Sequence, residues 1–506
     1  MSNLIKALKT KDTYTQNGAV THSSSDNPLL DLFFTIGAMR NSDKNFRIKK
    51  FIQSFKFNPL YTMKLLFFAR DCRGGLGERQ TFRDMYLKLY ELNKTTFINN
   101  LKYIPTYGRW DDLIYFMKIR KIGVQKKIVR LLQQGLTDKD TRLLVGKWMP
   151  RESGKDKQIA TQIAKLLKLD MKEYRQLISK NSNTVEQLIC KKKWNEIKYE
   201  NLPSLAMNKY TKTFLKNDYE RFSNYIQEVK NGVKKINTSV LNPCDIVKNI
   251  IDNNHFPEEF FENMNNLWIN LPNYFDENSK KSNILPVCDV SGSMTIGKSN
   301  MKPLYVAISL SIYLAEKNEG IFKNHFITFS ENPILQEIVG TNIKEKVNFI
   351  EKSNVGFNTD LYKTFKMIVD KAVQNNLSKE DFPTHILVIS DMEFDNSCVK
   401  FRHNGKTNYE SIKDYFEMYN YEVPKLVFWN VNALSENIPI KENEDGVVLI
   451  SGYTPSIISN VLNIENFNPI DLMMDVLRSE RYKEIKLYKI NDVKKESKPK
   501  NKPQSK

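Results

Sequence analysis

Apolar residues recur every three or four positions through most of the segment from residue 28 to residue 250. This spacing puts them on one face of a helix, so it predicts a series of amphipathic α-helices. Paired helices separated by turn signals are typical of a HEAT-type α-solenoid, and we assign residues 28–283 to one helical domain. The predicted helical stretches are residues 29–41, 57–71, 81–93, 110–120, 126–136 and 218–231.

After residue 283 the pattern changes to short continuous apolar runs separated by amphipathic stretches. Regular alternation of strand and helix favours a parallel sheet with helices on both faces. The sequence therefore predicts an α + α/β chain, in which residues 284–490 form a doubly wound, Rossmann-like domain. The predicted strands are 284–288, 321–329, 385–390, 425–429 and 446–450, with helices near 302–318, 343–352, 360–375 and 408–419.

Neither end of the chain shows this periodicity. Residues 1–27 are polar, and residues 491–506 are rich in lysine and proline. Segments with so little apolar surface cannot offset the conformational entropy that is lost on ordering. We therefore expect a disordered N-terminus over residues 1–27 and a basic, disordered tail over residues 491–506.

The net charge of +19 is distributed unevenly along the chain. Residues 1–283 hold 49 Lys and Arg against 29 Asp and Glu, a net charge of +20. Residues 284–490 hold 22 against 27, a net charge of −5, and the tail adds +4. A basic half beside an acidic one indicates a polyanionic partner, such as a nucleic acid, for the helical half. The alternative is that the lysines serve only solubility.

Cysteine usage and hydropathy limit where the protein works. The number of cysteines is odd and no two of them form a C-x-x-C pair, which argues against a disulfide framework and a zinc knuckle. No apolar run reaches 18 residues, so no transmembrane helix is expected, and the polar N-terminus argues against a secretion signal. We expect a cytoplasmic protein without a membrane partner.

A D-x-S-x-S sequence follows the first predicted strand directly, as Asp289, Ser291 and Ser293. In a doubly wound sheet, ligands bind outside the carboxyl ends of the strands. Thr359 lies in the loop before the helix at 360–375, and Asp391 directly follows the strand at 385–390. These hard oxygen donors suit Mg²⁺ or Mn²⁺ and not zinc. The sequence therefore predicts one metal site built from three loops.

This constellation resembles the metal-ion-dependent adhesion site (MIDAS) of von Willebrand factor A (vWA) domains. The resemblance implies that the two serines bind the metal directly, that the threonine binds it directly or through water, and that the aspartates act largely through water. It also implies an open metal position that takes a carboxylate from an acidic protein partner. A motif this short also arises by chance, and some vWA domains keep it mainly to shape the loop. The matching residues are Asp289, Ser291, Ser293, Thr359 and Asp391.

A glycine-rich segment, RGGLGER at residues 73–79, joins two predicted helices. One hypothesis is a backbone nest for phosphate, assisted by neighbouring arginines. We favour the alternative, a turn whose arginines pair with Asp71 and Glu78, because the full P-loop pattern is absent. The arginines in question are Arg70, Arg73 and Arg79.

A second unusual segment, YGRWDDL at residues 107–113, begins a predicted helix. Asp111 and Asp112 stand at the helix start, where carboxylates interact favourably with the helix dipole. Trp110 is placed to pack against the same helix start. We favour this structural role over a catalytic one.

The YGRWDDL segment, in a helical half followed by a MIDAS-type domain, resembles the TROVE-module proteins of the Ro ribonucleoprotein family. Together with RGGLGER, KWMPR at 147–151 and ISDM at 389–392, it resembles more closely the domain of unknown function 2828 family of plants, fungi and large DNA viruses. The resemblance covers about residues 28–465. In Ro proteins a HEAT-like ring binds structured or misfolded RNA, and a vWA domain closes it. The resemblance therefore implies RNA binding in the basic half, and a virion or viral-factory location if the chain is viral.

A basic run ending in an aromatic residue offers a further candidate for RNA contact. Lys191, Lys192 and Lys193 precede Trp194, whose ring could stack on a base. The alternative, a solvated helix face, explains the run equally well. With Arg70, Arg73 and Arg79, these residues complete the set of RNA-contact candidates.

Three functions compete at this point. The first is a Ro-like RNA-binding protein with a metal-dependent vWA docking site. The second is a protein scaffold that uses its MIDAS to bind an acidic partner without RNA. The third is an enzyme, which we do not expect because the chain has no Ser-His-Asp order, H-E-x-x-H sequence, P-loop or cofactor fingerprint.

Deleting residues 491–506 is expected to leave the melting temperature unchanged, because the tail has almost no apolar surface to bury. Calorimetry of the full-length and truncated chains measures this. A decrease of several degrees would show that the tail docks on the folded protein.

Overall fold

Helices fill the N-terminal half, where the apolar periodicity predicted them. The structure is a computed structural model that describes residues 12–182, 184–275, 282–329, 333–353, 359–395 and 406–489. The helices of this half are α1 (Pro28–Ile36), α2 (Lys44–Phe57), α3 (Pro59–Arg70), α4 (Gln80–Leu92), α5 (Lys94–Asn100), α6 (Ile104–Tyr107), α7 (Trp110–Tyr115), α8 (Ile122–Thr137), α9 (Arg142–Trp148), α10 (Lys157–Leu167), α11 (Met171–Lys180), α12 (Val185–Cys190), α13 (Ser204–Asn217), α14 (Tyr219–Lys230), α15 (Pro243–Ile251) and α16 (Glu258–Ile269).

Polar side chains determine where several of these helices begin. Asn27 accepts hydrogen bonds from the backbone N–H groups of Leu29 and Leu30 at the start of α1. Asn58 accepts one from Tyr61 at the start of α3, where proline occupies the first helical turn. Such caps satisfy backbone donors that have no partner inside the helix. The longer helix predicted over 110–120 ends as α7 and continues as a 3₁₀ turn, Phe116–Lys118.

Strands alternate with helices in the C-terminal half, so the predicted α + α/β fold class is confirmed. Two short strands, β1 (Asp12–Tyr14) and β2 (Val20–His22), precede α1. The elements of the C-terminal half are β3 (Ile284–Cys288), α17 (Pro303–Lys317), β4 (His325–Thr328), β5 (Leu335–Glu337), α18 (Ile343–Lys352), α19 (Leu361–Gln374), β6 (His385–Ser390), α20 (Asn408–Met418), β7 (Lys425–Asn430), β8 (Val447–Ser451), α21 (Ile458–Asn463) and α22 (Pro469–Arg478). The strands β3 to β8 form one sheet in the order β5-β4-β3-β6-β7-β8, in which β5 runs antiparallel to β4 and the other neighbours are parallel.

The order of the strands reverses at the centre of the sheet. The chain enters at β3, passes outward through β4 and β5, and then returns to the other side of β3 as β6. In open α/β sheets, ligands bind outside the carboxyl ends of the strands at such a reversal. Cys288 of β3 is in register with Ile389 of β6, so the residues after both strands emerge side by side.

The predicted disorder over residues 1–27 is wrong for residues 12–27. Asp12–Tyr14 (β1) pairs antiparallel with Val20–His22 (β2). His22 exchanges two backbone hydrogen bonds with Ile438, at 3.0 and 2.9 Å. The segment orders through backbone pairing with a distant part of the chain, and local apolar periodicity carries no signal of such pairing. Residues 1–11 and the predicted disordered tail, 491–506, lie outside the described residues.

The two halves share one continuous core and contact each other at both ends of the chain. Helix α1 packs on β8, where the Ser451 hydroxyl donates to the Phe33 carbonyl at 2.9 Å. After α22 the chain returns to the helical half, where Asn93 donates its side-chain amide to the Tyr488 carbonyl at 3.0 Å. The helical half and the α/β half therefore pack against each other, although the sequence pattern changes near residue 283.

The described cysteines Cys72, Cys190, Cys244 and Cys288 form no disulfide bond, and Cys398 lies outside the described residues. Burial raises the pKa of the Cys288 thiol to about 12, which keeps this side chain protonated and unreactive at neutral pH. Within the described ranges, no helix combines the length and the apolar character needed to cross a bilayer.

Replacing Gly37 by alanine is expected to lower the free energy of unfolding by about 1–3 kcal/mol, the usual cost of an overpacked site. A Cβ at this position would lie 2.7 Å from the Cα of Gly452 and 2.8 Å from the carbonyl carbon of Ser451. Gly37 has a φ of −77°, which alanine adopts readily, so the cost would be steric. Denaturant unfolding of the two chains measures the difference.

Gly123→Ala is the matched control, because a Cβ at residue 123 would meet no atom within 4 Å apart from its chain neighbours and the backbone of its own helix. This glycine lies in the first turn of α8, where alanine should be neutral or stabilise by up to about 1 kcal/mol. Equal losses of stability in the two variants would contradict the close approach of α1 to β8.

Candidate metal centre and basic surface

The predicted metal residues converge on the carboxyl ends of β3 and β6. Asp289 directly follows β3, and its backbone N–H donates to the Ile389 carbonyl at 3.1 Å. Asp391 directly follows β6. Because these strands are neighbours at the reversal of the sheet, the two carboxylates lie at the place where this fold binds ligands.

The loop after β3 folds around its own aspartate. Oδ1 of Asp289 accepts a hydrogen bond from the backbone N–H of Ser291 at 2.9 Å. The hydroxyls of Ser291 and Ser293 are 3.1 Å apart, and Ser293 hydrogen-bonds to Asp391. The structure therefore brings four of the five predicted ligands, Asp289, Ser291, Ser293 and Asp391, into one cluster.

Thr359 reaches the same edge of the sheet through Asp395. The backbone N–H of Thr359 donates to Oδ2 of Asp395 at 2.6 Å, and the backbone N–H of Asp395 donates back to the Thr359 carbonyl at 3.0 Å. Asp395 lies four residues after Asp391, so this pairing holds the predicted threonine close to the loop that follows β6. Thr359 is buried, as are the two acids of the cluster.

Both carboxylates are buried without a countercharge. Asp289 is 0% and Asp391 5% exposed. Burial raises the pKa of Asp289, and burial together with the nearby Asp289 raises the pKa of Asp391 to about 7. Over the described ranges, neither acid forms an ion pair with a lysine, arginine or histidine. Two buried like charges of this kind are costly unless a cation joins them.

The donor set fits a hard divalent cation. Two carboxylates and three hydroxyls are all oxygen ligands, the type that Mg²⁺ and Mn²⁺ prefer. In the part of the chain that the structure describes, no three His, Cys, Asp or Glu side chains cluster as metal ligands. A cation at this edge would therefore depend on the hydroxyls of Ser291, Ser293 and Thr359 as much as on the acids, and would act as a Lewis-acidic anchor for an anionic group.

Several residues that position this cluster were not predicted. The Ser390 hydroxyl donates to Oδ2 of Asp289 at 2.6 Å, and Asp395 holds Thr359. Glu393 is buried beside them and accepts from the backbone N–H of Gln16, at 2.7 Å. The alternating acids of D-M-E-F-D at 391–395, directly after a strand, are the sequence signal that could have identified Glu393 and Asp395.

The N-terminal hairpin covers the same loop. The Thr15 hydroxyl donates to the Phe394 carbonyl at 2.6 Å, and the Asn17 side chain donates to the Glu393 carbonyl at 2.7 Å. Asn17 also hydrogen-bonds to the carboxylate of Asp395. The segment that was predicted to be disordered thus helps to hold the loop that carries Asp391.

A cavity of about 460 Å³ lies at the opposite edge of the sheet. Its lining includes His385 and Lys425, the first residues of β6 and β7, together with the aromatic rings of Phe382 and Tyr421. Since the acids stand at the carboxyl ends of the strands, this cavity is not part of the candidate metal centre.

Arg70 is not available to contact RNA, so that prediction is wrong. It is 2% exposed, and its guanidinium lies 2.5 Å from the Asp112 carboxylate, which is fully buried. The side chain points from the end of α3 into the packing against α7. Arg73 and Arg79 are exposed, and Arg73 donates to the Thr106 carbonyl at 2.8 Å.

The glycine-rich segment forms a turn that closes on Asp71. The sequence favoured such a turn over a phosphate nest. Oδ1 of Asp71 accepts from the backbone N–H groups of Arg73 and Gly74, at 3.0 and 3.2 Å. The prediction that Arg70, Arg73 and Arg79 pair with Asp71 and Glu78 is wrong, because the arginines that bind these two acids come from elsewhere in the chain. Arg481 pairs with Asp71, and Arg40 binds Glu78 at 2.8 Å.

The basic run at 191–193 is exposed, as a surface contact requires. Lys193 pairs with Glu196 at 2.5 Å, which leaves Lys191 and Lys192 as the freer cations. Trp194 is half-buried against the hydrophobic core, so only part of its ring faces solvent. The run stays a candidate for RNA contact, with a smaller stacking surface than the sequence indicated.

Two family models match the chain. The domain of unknown function DUF2828 matches residues 15–142 and 128–273, and the domain of unknown function DUF7788 matches residues 283–505. Uncharacterized protein L728 of Acanthamoeba polyphaga mimivirus is 25% identical over 512 residues, which cover 92% of this chain and 87% of that protein. The crystal structure of the Deinococcus radiodurans Ro (RSR) protein aligns with 90% of this chain and 99% of that chain at 12% identity, with a TM-score of 0.35. At that TM-score the alignment does not establish a shared fold.

Asp391→Asn is expected to have opposite effects on stability without and with Mn²⁺. In EDTA at pH 8 the amide removes a buried, unpaired charge, so the melting temperature should rise by a few degrees. In a Mn²⁺ titration the wild-type chain should gain stability with the logarithm of the metal concentration, and the variant should not. Scanning fluorimetry of the full-length chains measures both effects.

Asp475→Asn is the matched control, since Asp475 is exposed on α22. This variant should follow the wild-type chain in both conditions. Equal stabilisation of all three proteins by Mn²⁺ would place the bound metal elsewhere, and a destabilised Asp391→Asn chain in EDTA would show that the acid is not strained.

Proposed function

The chain belongs to the DUF2828 family, a family of unknown function whose model matches just over half of it, and we propose that it is a non-enzymatic RNA-binding protein whose α/β half carries a divalent-cation site for docking a partner. The observation that carries the RNA-binding proposal is the separation of charge, +20 in residues 1–283 against −5 in residues 284–490. A positive surface of this size attracts the phosphate backbone whatever its sequence.

The fold adds support because it buries two arginines of the helical half in ion pairs and leaves many of its lysines exposed. Arg47 and Arg70 are buried in ion pairs with Asp84 and Asp112. The excess charge is therefore carried by exposed side chains, which can reach a phosphate backbone. Exposed lysines on or near α8 to α11 include Lys126, Lys139, Lys155, Lys157, Lys165 and Lys168.

The metal centre supports docking of an anionic partner group. A MIDAS-like cluster at a sheet edge offers the cation to an incoming carboxylate, in keeping with the resemblance to vWA domains. Ile296, three residues after Ser293, is 66% exposed and provides an apolar contact beside the cluster. His325 and His385 begin β4 and β6, at the opposite edge of the sheet, so neither is placed to transfer protons at the cluster. This arrangement favours docking over hydrolysis.

The alternative is a protein scaffold that uses only the metal centre. The exposed Ile296 favours it, because an apolar residue beside a metal position suits a protein partner better than a nucleic acid. In that case the basic half serves solubility. Binding of RNA by the purified full-length chain separates the two proposals.

The full-length chain is expected to bind RNA with an affinity that falls steeply as salt rises, because phosphate contacts release condensed counterions. The logarithm of the association constant should fall by about 0.7 per phosphate contact for each unit of log salt on a single strand. A misfolded or branched RNA should bind more tightly than a plain duplex of equal length, since unpaired bases offer more to contact. Fluorescence anisotropy over a salt series measures both.

Asp391→Asn should bind the same RNAs as well as the wild-type chain, since the metal centre lies in the acidic half. If the wild-type chain retains no RNA at low salt, the RNA-binding proposal fails and the scaffold takes its place.

A further inference from the structure

Three segments that are distant in sequence meet on one surface of the helical half. Arg79 ends RGGLGER and precedes α4, Arg109 lies in YGRWDDL and precedes α7, and Trp148 lies in KWMPR and ends α9. The guanidinium carbon of Arg109 lies 4.1 Å from the centre of the Trp148 ring. Arg79 and Arg109 approach the same carboxylate, that of Asp111. RGGLGER, YGRWDDL and KWMPR thus each contribute a side chain to one surface.

This surface holds more cations than its acids can neutralise. Asp112 accepts from Arg70 at 2.5 Å and from Arg83 at 2.7 Å. Asp111 accepts from Arg83 and Arg109, both at 2.9 Å. These ion pairs occupy both carboxylates. The buried part of the cluster therefore has a structural role. Four arginines therefore surround two acids, and the fourth is Arg79.

Arg79 is the arginine of this cluster whose guanidinium lies beyond hydrogen-bond distance of both Asp111 and Asp112. Its side chain is 50% exposed, and its nearest acid, Asp111, is 3.7 Å away, beyond an ordinary hydrogen bond. Burial and the neighbouring guanidinium groups of Arg109 and Arg83 lower its pKa, which means that the surroundings disfavour its charge. An anion arriving from solvent would relieve that repulsion.

Trp148 and α9 add flat and apolar surface beside the cations. Trp148 is half-buried, with the Arg109 guanidinium over its ring, and the Arg109 side chain is itself 29% exposed. Leu144 lies one turn earlier on the same face of α9 and is 46% exposed. A planar cation on an aromatic ring, next to an exposed apolar side chain, is a surface on which an unpaired base can stack.

We propose that Arg79, Arg109 and Trp148 form the principal RNA contact of the protein, with Arg79 binding a backbone phosphate and the Arg109–Trp148 pair supporting an adjacent base. The proposal rests on the proposed RNA-binding function. It places the main RNA contact on this surface and not on the basic run at 191–193. The guanidinium fork matches a phosphate through paired hydrogen bonds. Lys147 adds a cation beside the same ring, with its ammonium nitrogen 5.6 Å from the ring centre. A ring on which a base can stack favours a nucleic-acid strand over an acidic peptide.

The test uses the full-length chain and a short fluorescein-labelled poly-uridine strand. Arg79→Gln should weaken binding about tenfold at low salt, because a charge-assisted contact is lost. It should also reduce the salt slope by about 0.7, the value for one phosphate contact on a single strand. Lys216→Gln, which removes one exposed charge from α13 in the same half, should change both values little. Because the Arg79 side chain is half exposed, Arg79→Gln should have the melting temperature of the wild-type chain, and thermal unfolding checks this.

Ultraviolet crosslinking of the same complex locates the contact independently. The crosslinked tryptic peptide should contain Trp148. Equal losses in Arg79→Gln and Lys216→Gln, or a crosslink at Lys191–Trp194 in place of Trp148, would overturn this inference while the RNA-binding function stands. No binding by the wild-type chain would overturn the RNA-binding function, and this inference with it.

Discussion

Two carboxylates buried side by side at the ends of neighbouring strands are the constraint around which the α/β half is built. Asp289 and Asp391 emerge together because Cys288 and Ile389 are in register at the centre of the sheet. The Ser390 hydroxyl and the Ser291 backbone N–H donate to Asp289, and the N-terminal hairpin bonds to the loop that carries Asp391. None of these contacts supplies positive charge. A divalent cation would satisfy the charge and give the edge a binding role.

In the helical half, by contrast, a buried acid is neutralised by arginines. There the buried acid Asp112 is paired by Arg70 and Arg83, and further arginines remain at the surface. An excess of negative charge at one site and of positive charge at the other makes both attractive to outside partners of opposite sign. The two halves are nevertheless one body, since α1 packs on β8 and the segment after α22 lies on the helical half. Partners bound at the two surfaces would therefore be held at a fixed separation.

The sequence predicted those features whose signals are local. The strands before Asp289 and Asp391 are continuous apolar runs, so the fold class and the position of both acids followed directly. Arg70 was misassigned because its partner, Asp112, lies 42 residues away. Its position beside a glycine-rich turn suggested exposure, although the side chain is buried. The hairpin was missed for the same reason, since Thr15 bonds to a carbonyl 379 residues away. The convergence of Arg79, Arg109 and Trp148 is likewise a product of helix packing that no local pattern encodes.

Crystals of the full-length chain grown with Mn²⁺ would show whether the buried acid pair holds a divalent cation. An anomalous difference map should show one peak between the loops after β3 and β6, within about 2.3 Å of serine or carboxylate oxygens. A map without a peak at this edge, or with a lysine or arginine side chain occupying it, would show that Asp289 and Asp391 do not bind a divalent cation.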